Sequence, residues 1–186
     1  RFAQLSPTIL IAHLRDVGQA ASIRLADRVA EVVREIPSLT TLIAADDGVL
    51  PGPTNVSVCR MSSLIEEHRG SVGGDFVWQR FPFNQPLFIM FSSGTTGKPK
   101  CIVHGAGGTL LQHLKEHLLH GDIKPGDRLF YFTTCGWMMW NWLASGLAAG
   151  ATLMLYDGSP FVQRGRVLWD FAEEERFTHF GTSAKY

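Results

Sequence analysis

Residues 87–100 read LFIMFSSGTTGKPK. Leu87 to Phe91 make a short apolar run of the kind a buried strand carries. The run empties into Ser92, Ser93, Gly94, Thr95, Thr96 and Gly97, followed by Lys98, Pro99 and Lys100. Glycines let the backbone curl until successive N–H groups point inward and form an anion nest. The hydroxyls add donors, the two ammonium groups add charge, and Pro99 fixes the way out. A strand that ends in such a loop reads as a phosphate cradle in an α/β protein. It is not the G-x-x-x-x-G-K-[ST] loop, because two residues separate Gly94 from Gly97 and Pro99 follows Lys98. The dinucleotide pattern G-x-G-x-x-G does not fit either. On composition alone, a Ser/Gly surface loop closed by lysines remains open.

Short apolar runs alternate with helical stretches on both sides of this string. Thr8 to Ala12 reads as a strand, Gln19 to Ile36 as a helix, and Thr41 to Ala45 as a strand. In that helix Ile23, Ala26, Val29, Ala30 and Val33 form the inward stripe, and Pro37 stops it. Strand, helix and strand make a βαβ unit, hence parallel pairing. Residues 61–67 suggest a short helix begun by Ser62, and residues 68–86 a long connection. After the loop come a strand (Cys101 to His104), a helix (about Thr109 to His120) and a strand (Leu129 to Thr133). A helix (about Trp137 to Ala149), a strand (Thr152 to Tyr156), a helix (about Gly165 to Arg176) and a strand (Thr178 to Gly181) follow. The expectation is α/β architecture, a mostly parallel sheet with flanking helices. Residues 1–75 would be its βαβ-containing part, and 76–186 the part that carries the loop, within one truncated domain.

The 186 residues balance 17 Lys+Arg against 17 Asp+Glu, which speaks against a phosphate-backbone binder, so no nucleic-acid partner is expected. At 45% apolar and 18% charged residues, intrinsic disorder is excluded. Three cysteines are too few for a disulfide framework and lack metal spacing, so reduced thiols and a cytoplasmic location are expected. The chain opens on Arg1 without a basic-plus-apolar leader and reads as an excerpt. Leu129 to Tyr156 is a charge-free run of 28 residues, long enough to span a bilayer. Its internal Thr133, Asn141 and Ser145, and the break at Gly150, favour strand, helix and strand, so no membrane is expected.

SSGTTGKPK resembles the phosphate-binding signature of the adenylate-forming superfamily, which includes the acyl-CoA synthetases. Cys101 stands where that signature usually carries Gly. PLFIMFSSGTTGKPKCIVHGAGGTLLQHLKEHLLHGD, GWMMWNW and LYDGSP are similar to the acetoacetate-activating branch of the superfamily. The resemblance implies an incomplete piece of the large N-terminal domain of an adenylate-forming enzyme. It implies as substrates acetoacetate, ATP and CoA, with Mg2+, and as partner the remainder of the same polypeptide. Another short-chain acyl-CoA ligase, and a non-catalytic nucleotide-binding remnant, are the alternatives. Ser92, Ser93, Gly94, Thr95, Thr96, Gly97, Lys98 and Lys100 would hold the ATP phosphates, with Lys100 at the motif's fixed position. Trp137, Met138 and Met139 would line the acyl pocket, and Asn141 would be its polar group; buried helix core explains the same residues. The family's catalytic Lys has no counterpart here, so no catalytic residue is assigned and the chain alone is expected to be inactive.

His113, His117 and His120 recur at helical spacing beside Leu110, Leu111, Leu114 and Leu118. The first two have zinc-ligand spacing, but HLKEH is not HExxH and no third ligand is evident. The leucines read as the buried stripe, the histidines as its polar flank, and no metal is expected. His104 could face the nucleotide or cap local backbone.

Overall fold

The structure is a computed structural model that describes residues 2–16, 24–70, 76–92, 97, 99–184 and 186. The chain divides into two compact units, Arg1–Arg80 and Phe81–Tyr186. In the first, β1 (Ile9–Ala12), α1 (Leu25–Glu35) and β2 (Thr41–Ala44) form the βαβ unit, and β3 (Ser57–Arg60) runs directly into α2 (Met61–His68). The sheet order is β1-β2-β3, parallel throughout, with Ile9 opposite Thr41 and Thr41 opposite Ser57. Val29, Ala30 and Val33 of α1 are buried, and Val29 and Val33 pack with Leu42, Ala44, Leu39 and Val56, as the stripe requires.

Three details depart from the sequence reading. The helix begins at Leu25, not Gln19; Gln19 to Ile23 lie outside the described residues. Arg24 has an extended backbone, and Asp16 Oδ1 accepts the Leu25 N–H at 2.7 Å, satisfying a donor that the first helical turn cannot. Strand β3 was not foreseen, since four residues with only Val58 and Cys59 apolar carry little periodicity. Helix α2 starts at Met61, one residue before Ser62, and has no side-chain cap. Asp46, just past β2, binds the ends of both strands together. Its carboxylate accepts from the N–H of Leu14 (3.0 Å), Arg15 (2.9 Å) and Gly48 (2.8 Å) and lies 3.2 Å from His13 Nδ1.

The second unit opens with a hairpin, β4 (Pro86–Ser92) against β5 (Lys100–Gly105). This pair is antiparallel because residues 93–99 are too few for a crossover. Helix α3 (Ala106–Lys115) follows at once, starting earlier than expected, and continues as a π-helical turn over Glu116–His120. The charge-free run then resolves into β6 (Arg128–Tyr131), α4 (Met138–Ser145) and β7 (Thr152–Met154). Gly150, at φ 79°, closes the turn before β7 in the left-handed conformation that glycine adopts without strain. Among the described residues no helix is long and apolar enough to cross a membrane.

Helix α5 (Val167–Glu174) and β8 (His179–Gly181) complete the unit, and the parallel sheet order is β7-β6-β8. Central strand β6 is covered on both faces, as parallel strands are. Leu129 packs with Leu143, Ala149 and Ile123, while its neighbour Phe130 packs with Leu168 and Met154. Phe177 stacks on Phe130 with ring centres 4.9 Å apart. The result is mixed α/β architecture, parallel sheets with flanking helices and one antiparallel hairpin.

Candidate functional site

Strands β4 and β5 hold the two ends of the loop. Half-buried Ser92 stands directly opposite exposed Lys100, so the hairpin ladder sets how far apart the loop's ends can lie. Gly97 has φ 101°, a backbone conformation that a side chain would strain. Ser93, Gly94, Thr95, Thr96 and Lys98 lie outside the described residues. The structure thus places Ser92, Gly97 and Lys100 of the expected set.

A cavity of about 820 Å³ begins two residues beyond Lys100. One wall is β5 from Ile102 to Gly105, including His104. Helix α3 contributes Thr109, Gln112, His113 and Glu116. Met138, Met139 and Trp142 of α4 form the facing wall, and Tyr131, the last residue of β6, joins them. Met138 and Met139 are therefore brought to this cavity as an apolar, adaptable surface. Trp137 and Asn141 are not among its lining residues. The Trp137 ring lies 6.0 Å from that of Tyr131. The Asn141 amide donates to Met90 Sδ at 3.2 Å, which ties α4 to β4.

Helix α3 is turned the opposite way from the sequence reading. Leu110, Leu111 and Leu118 are exposed, whereas His117 is 0% and His113 9% exposed. The expected polar flank is the buried face, and His120 alone of the three histidines is exposed. Polar partners explain the inversion. His117 Nε2 lies 3.0 Å from both the Trp142 carbonyl oxygen and Ser145 Oγ, and its ring sits 4.4 Å from that of Trp142. An acceptor carbonyl at Nε2 assigns the proton to that nitrogen, so buried Nδ1 is the bare acceptor that no donor reaches. Burial lowers the His117 pKa below the usual histidine value, against the opposing pull of the Trp142 carbonyl. Burial, then nearby His117 and His104, lowers that of His113, with Glu116 opposing. Both imidazoles are neutral at neutral pH.

Among the cavity residues that the sequence reading did not assign are His113 and Tyr131. The signal for His113 was present as a histidine pair at i, i+4 inside an apolar helix, which a buried polar face also produces; Tyr131 had none. Among the described residues no three His, Cys, Asp or Glu side chains converge where a metal ion could bind.

Among the described residues, a mostly apolar cavity thus lies beside the hairpin that carries the loop. Comparison with known proteins gives the family. The family described as AMP-binding enzyme matches residues 4–184. The chain is 51% identical over 187 residues to the acetoacetyl-coenzyme A synthetase of Rhizobium meliloti (strain 1021) and 42% identical over 190 residues to the acetoacetyl-CoA synthetase of Mus musculus. All of the chain is covered in both comparisons, and it spans 28% of the length of each relative. The solved acetoacetyl-CoA synthetase from Streptomyces lividans superposes with a TM-score of 0.84 at 40% identity, covering 100% of this chain and 28% of that one. The Cys101 departure leaves this assignment intact, and the chain belongs to the AMP-binding enzyme family.

Proposed function

We propose that the full-length protein activates acetoacetate with ATP and transfers it to CoA. The carboxylate attacks the α-phosphate, giving acetoacetyl-AMP and pyrophosphate; the CoA thiol then displaces AMP. What supports this is the continuity of β5. The strand leaves the phosphate loop at Lys100 and becomes the cavity wall at Ile102, about 7 Å further on at the usual rise per residue. Phosphate and acid would thus be held by one rigid element, the positioning that phosphoryl-type transfer requires.

In this reading Ser92, Ser93, Thr95 and Thr96, with the amides of Gly94 and Gly97, hold the β- and γ-phosphates. Lys98 and Lys100 offset the charge that develops on the transferring phosphate. Met138 and Met139 contact the acyl chain, Trp137 backs them through Tyr131, and Asn141 braces the wall against Met90. Mg2+ would arrive with the nucleotide, since the described residues offer no carboxylate cluster to hold it. The 186 residues alone are proposed to be inactive, with the remaining contacts supplied by the rest of the polypeptide. A cytoplasmic place, feeding ketone-type acids into CoA and lipid metabolism, goes with this chemistry.

The methionine wall also suits another short-chain acid, because methionine repacks around differently shaped ligands. ATP–pyrophosphate exchange with acetoacetate, acetate and butyrate separates the two readings. Fastest exchange with acetoacetate is the expected result; equal or faster exchange with acetate or butyrate would overturn the substrate assignment.

A further inference from the structure

We propose that His113 is the specificity-determining residue for a 3-oxo acid, donating an imidazole N–H to the keto oxygen of the acyl group in the cavity. The proposal rests on the acyl reading of that cavity and names the group that distinguishes a keto acid from a plain fatty acid of equal length.

Met138, Met139 and Ile102 of the lining are apolar and cannot tell a ketone from a methylene. Discrimination needs a half-enclosed donor elsewhere in the lining. His113 meets that requirement. It is 9% exposed, it lines the cavity, and no hydrogen bond to another described residue occupies its ring. Its ring nitrogens are not among the buried polar atoms left without a partner, so the ring is open to the cavity. Asn141, the donor that the sequence reading assigned to the pocket, does not line the cavity and already serves Met90.

The ring's surroundings set its protonation. His117 from its own helix and His104 from β5 both disfavour the cation, burial disfavours it more, and Glu116 alone pulls the other way. A neutral imidazole donates to a ketone without handing over the proton. That suits a β-keto acid, whose carboxyl carbon bond breaks readily once its keto oxygen is protonated. Gln112 and Glu116, one helical turn apart, bond to each other at 3.0 Å and so are not idle competitors for the ligand.

The test uses the full-length enzyme and the ratio of kcat/KM for acetoacetate to that for butyrate, read by pyrophosphate release. His113→Leu removes the donor at similar volume, and His113→Gln keeps a donor amide. The ratio is expected to fall about 5- to 150-fold in His113→Leu, the range for one lost neutral hydrogen bond. Most of the fall should come from acetoacetate, and His113→Gln should hold the ratio above that of His113→Leu and nearer to wild type. Melting temperatures show which variants are folded. A folded His113→Leu with a ratio within about threefold of wild type, below 0.7 kcal/mol, overturns the proposal. If His113→Leu does not fold, His113→Phe takes its place against His113→Gln, and equal ratios in that pair overturn it. A collapse in Asn141→Leu while the His113 variants keep the wild-type ratio moves the donor to Asn141. Wild-type enzyme that does not activate acetoacetate at all removes the substrate reading as well; a wild-type preference that His113→Leu leaves intact removes only the role of His113.

Discussion

Asp46 shows what a single carboxylate does when backbone donors converge on it. The Arg15 N–H contributes most to lowering its pKa to about 2 from the ordinary 3.8; partial burial opposes, and Gly48, Leu14 and His13 assist. The folded state therefore favours the ionised form. The stability this adds is complete above pH 3.8 and is lost as pH falls through about 2. Asp46→Asn should lower the melting temperature at neutral pH and flatten its decline between those values; a variant that follows wild type would show the clip to be idle. His113 and His117 have the opposite consequence for acid. Their folded pKa values lie below the usual 6.5, so protonation favours the unfolded chain and stability drops as pH falls from 6.5. At the loop, Lys100→Ala in the full enzyme should cost the adenylation step about 3–4 kcal/mol, as loss of one preorganised contact does. Pyrophosphate exchange within about threefold of wild type would take Lys100 out of the phosphate site. The loop stands out in the sequence because an ordered string of Ser, Thr, Gly and Lys has few other uses, and its role is part of the proposed function. The histidines were not, because a one-dimensional pattern ranks Leu above His for burial and knows nothing of the Trp142 carbonyl or Ser145.

At the level of elements, periodicity located those with strong apolar stripes and failed where pairing supplies the order. Helix α1 was legible from Val29, Ala30 and Val33, whereas β3 exists because β2 offers it a free edge. Helix α3 was found but its facing was not, since leucines at 110, 111 and 118 outvoted two histidines in any hydrophobic count. Contact between β6 and β8 gives the most direct test of how elements shape the cavity. Gly181 stands opposite Tyr131, and a Cβ there would lie 2.2 Å from the tyrosine ring. Gly181→Ala must displace that ring, which lines the cavity. Overpacking of this kind costs about 1–3 kcal/mol, read as a lower melting temperature. Tyr131→Leu in the same background should recover part of the loss, because the two residues share one space. Strict additivity of the two changes would show that Tyr131 has room to move.

At the scale of the molecule, apolar surface near β8 is largely covered: Phe180 and Tyr186 pack into the aromatic cluster around Phe130, with Phe180 4.7 Å from the Trp169 ring. One open apolar face is on the β1-β2-β3 sheet. Leu10 and Ala12 of β1 point toward α1, while Ile9 and Ile11, on the other face, are 55% and 58% exposed. Alternation along a strand makes this unavoidable: a sheet covered by one helix layer leaves its other face bare. β1 also ends the sheet order, so its outer edge has no strand partner within the sheet. An exposed, apolar edge strand is a template for association. The 186-residue chain, studied alone, should therefore self-associate in sedimentation and bind a hydrophobic dye. Ile9→Thr with Ile11→Thr removes apolar area and keeps β-branched side chains, so the strand itself is preserved. Dye binding and association should both fall, while the melting temperature changes little, because neither isoleucine is part of the buried cluster around Leu42. A monomeric parent chain that binds no dye, or a double variant that associates as strongly as its parent, would place the sticky surface away from this sheet.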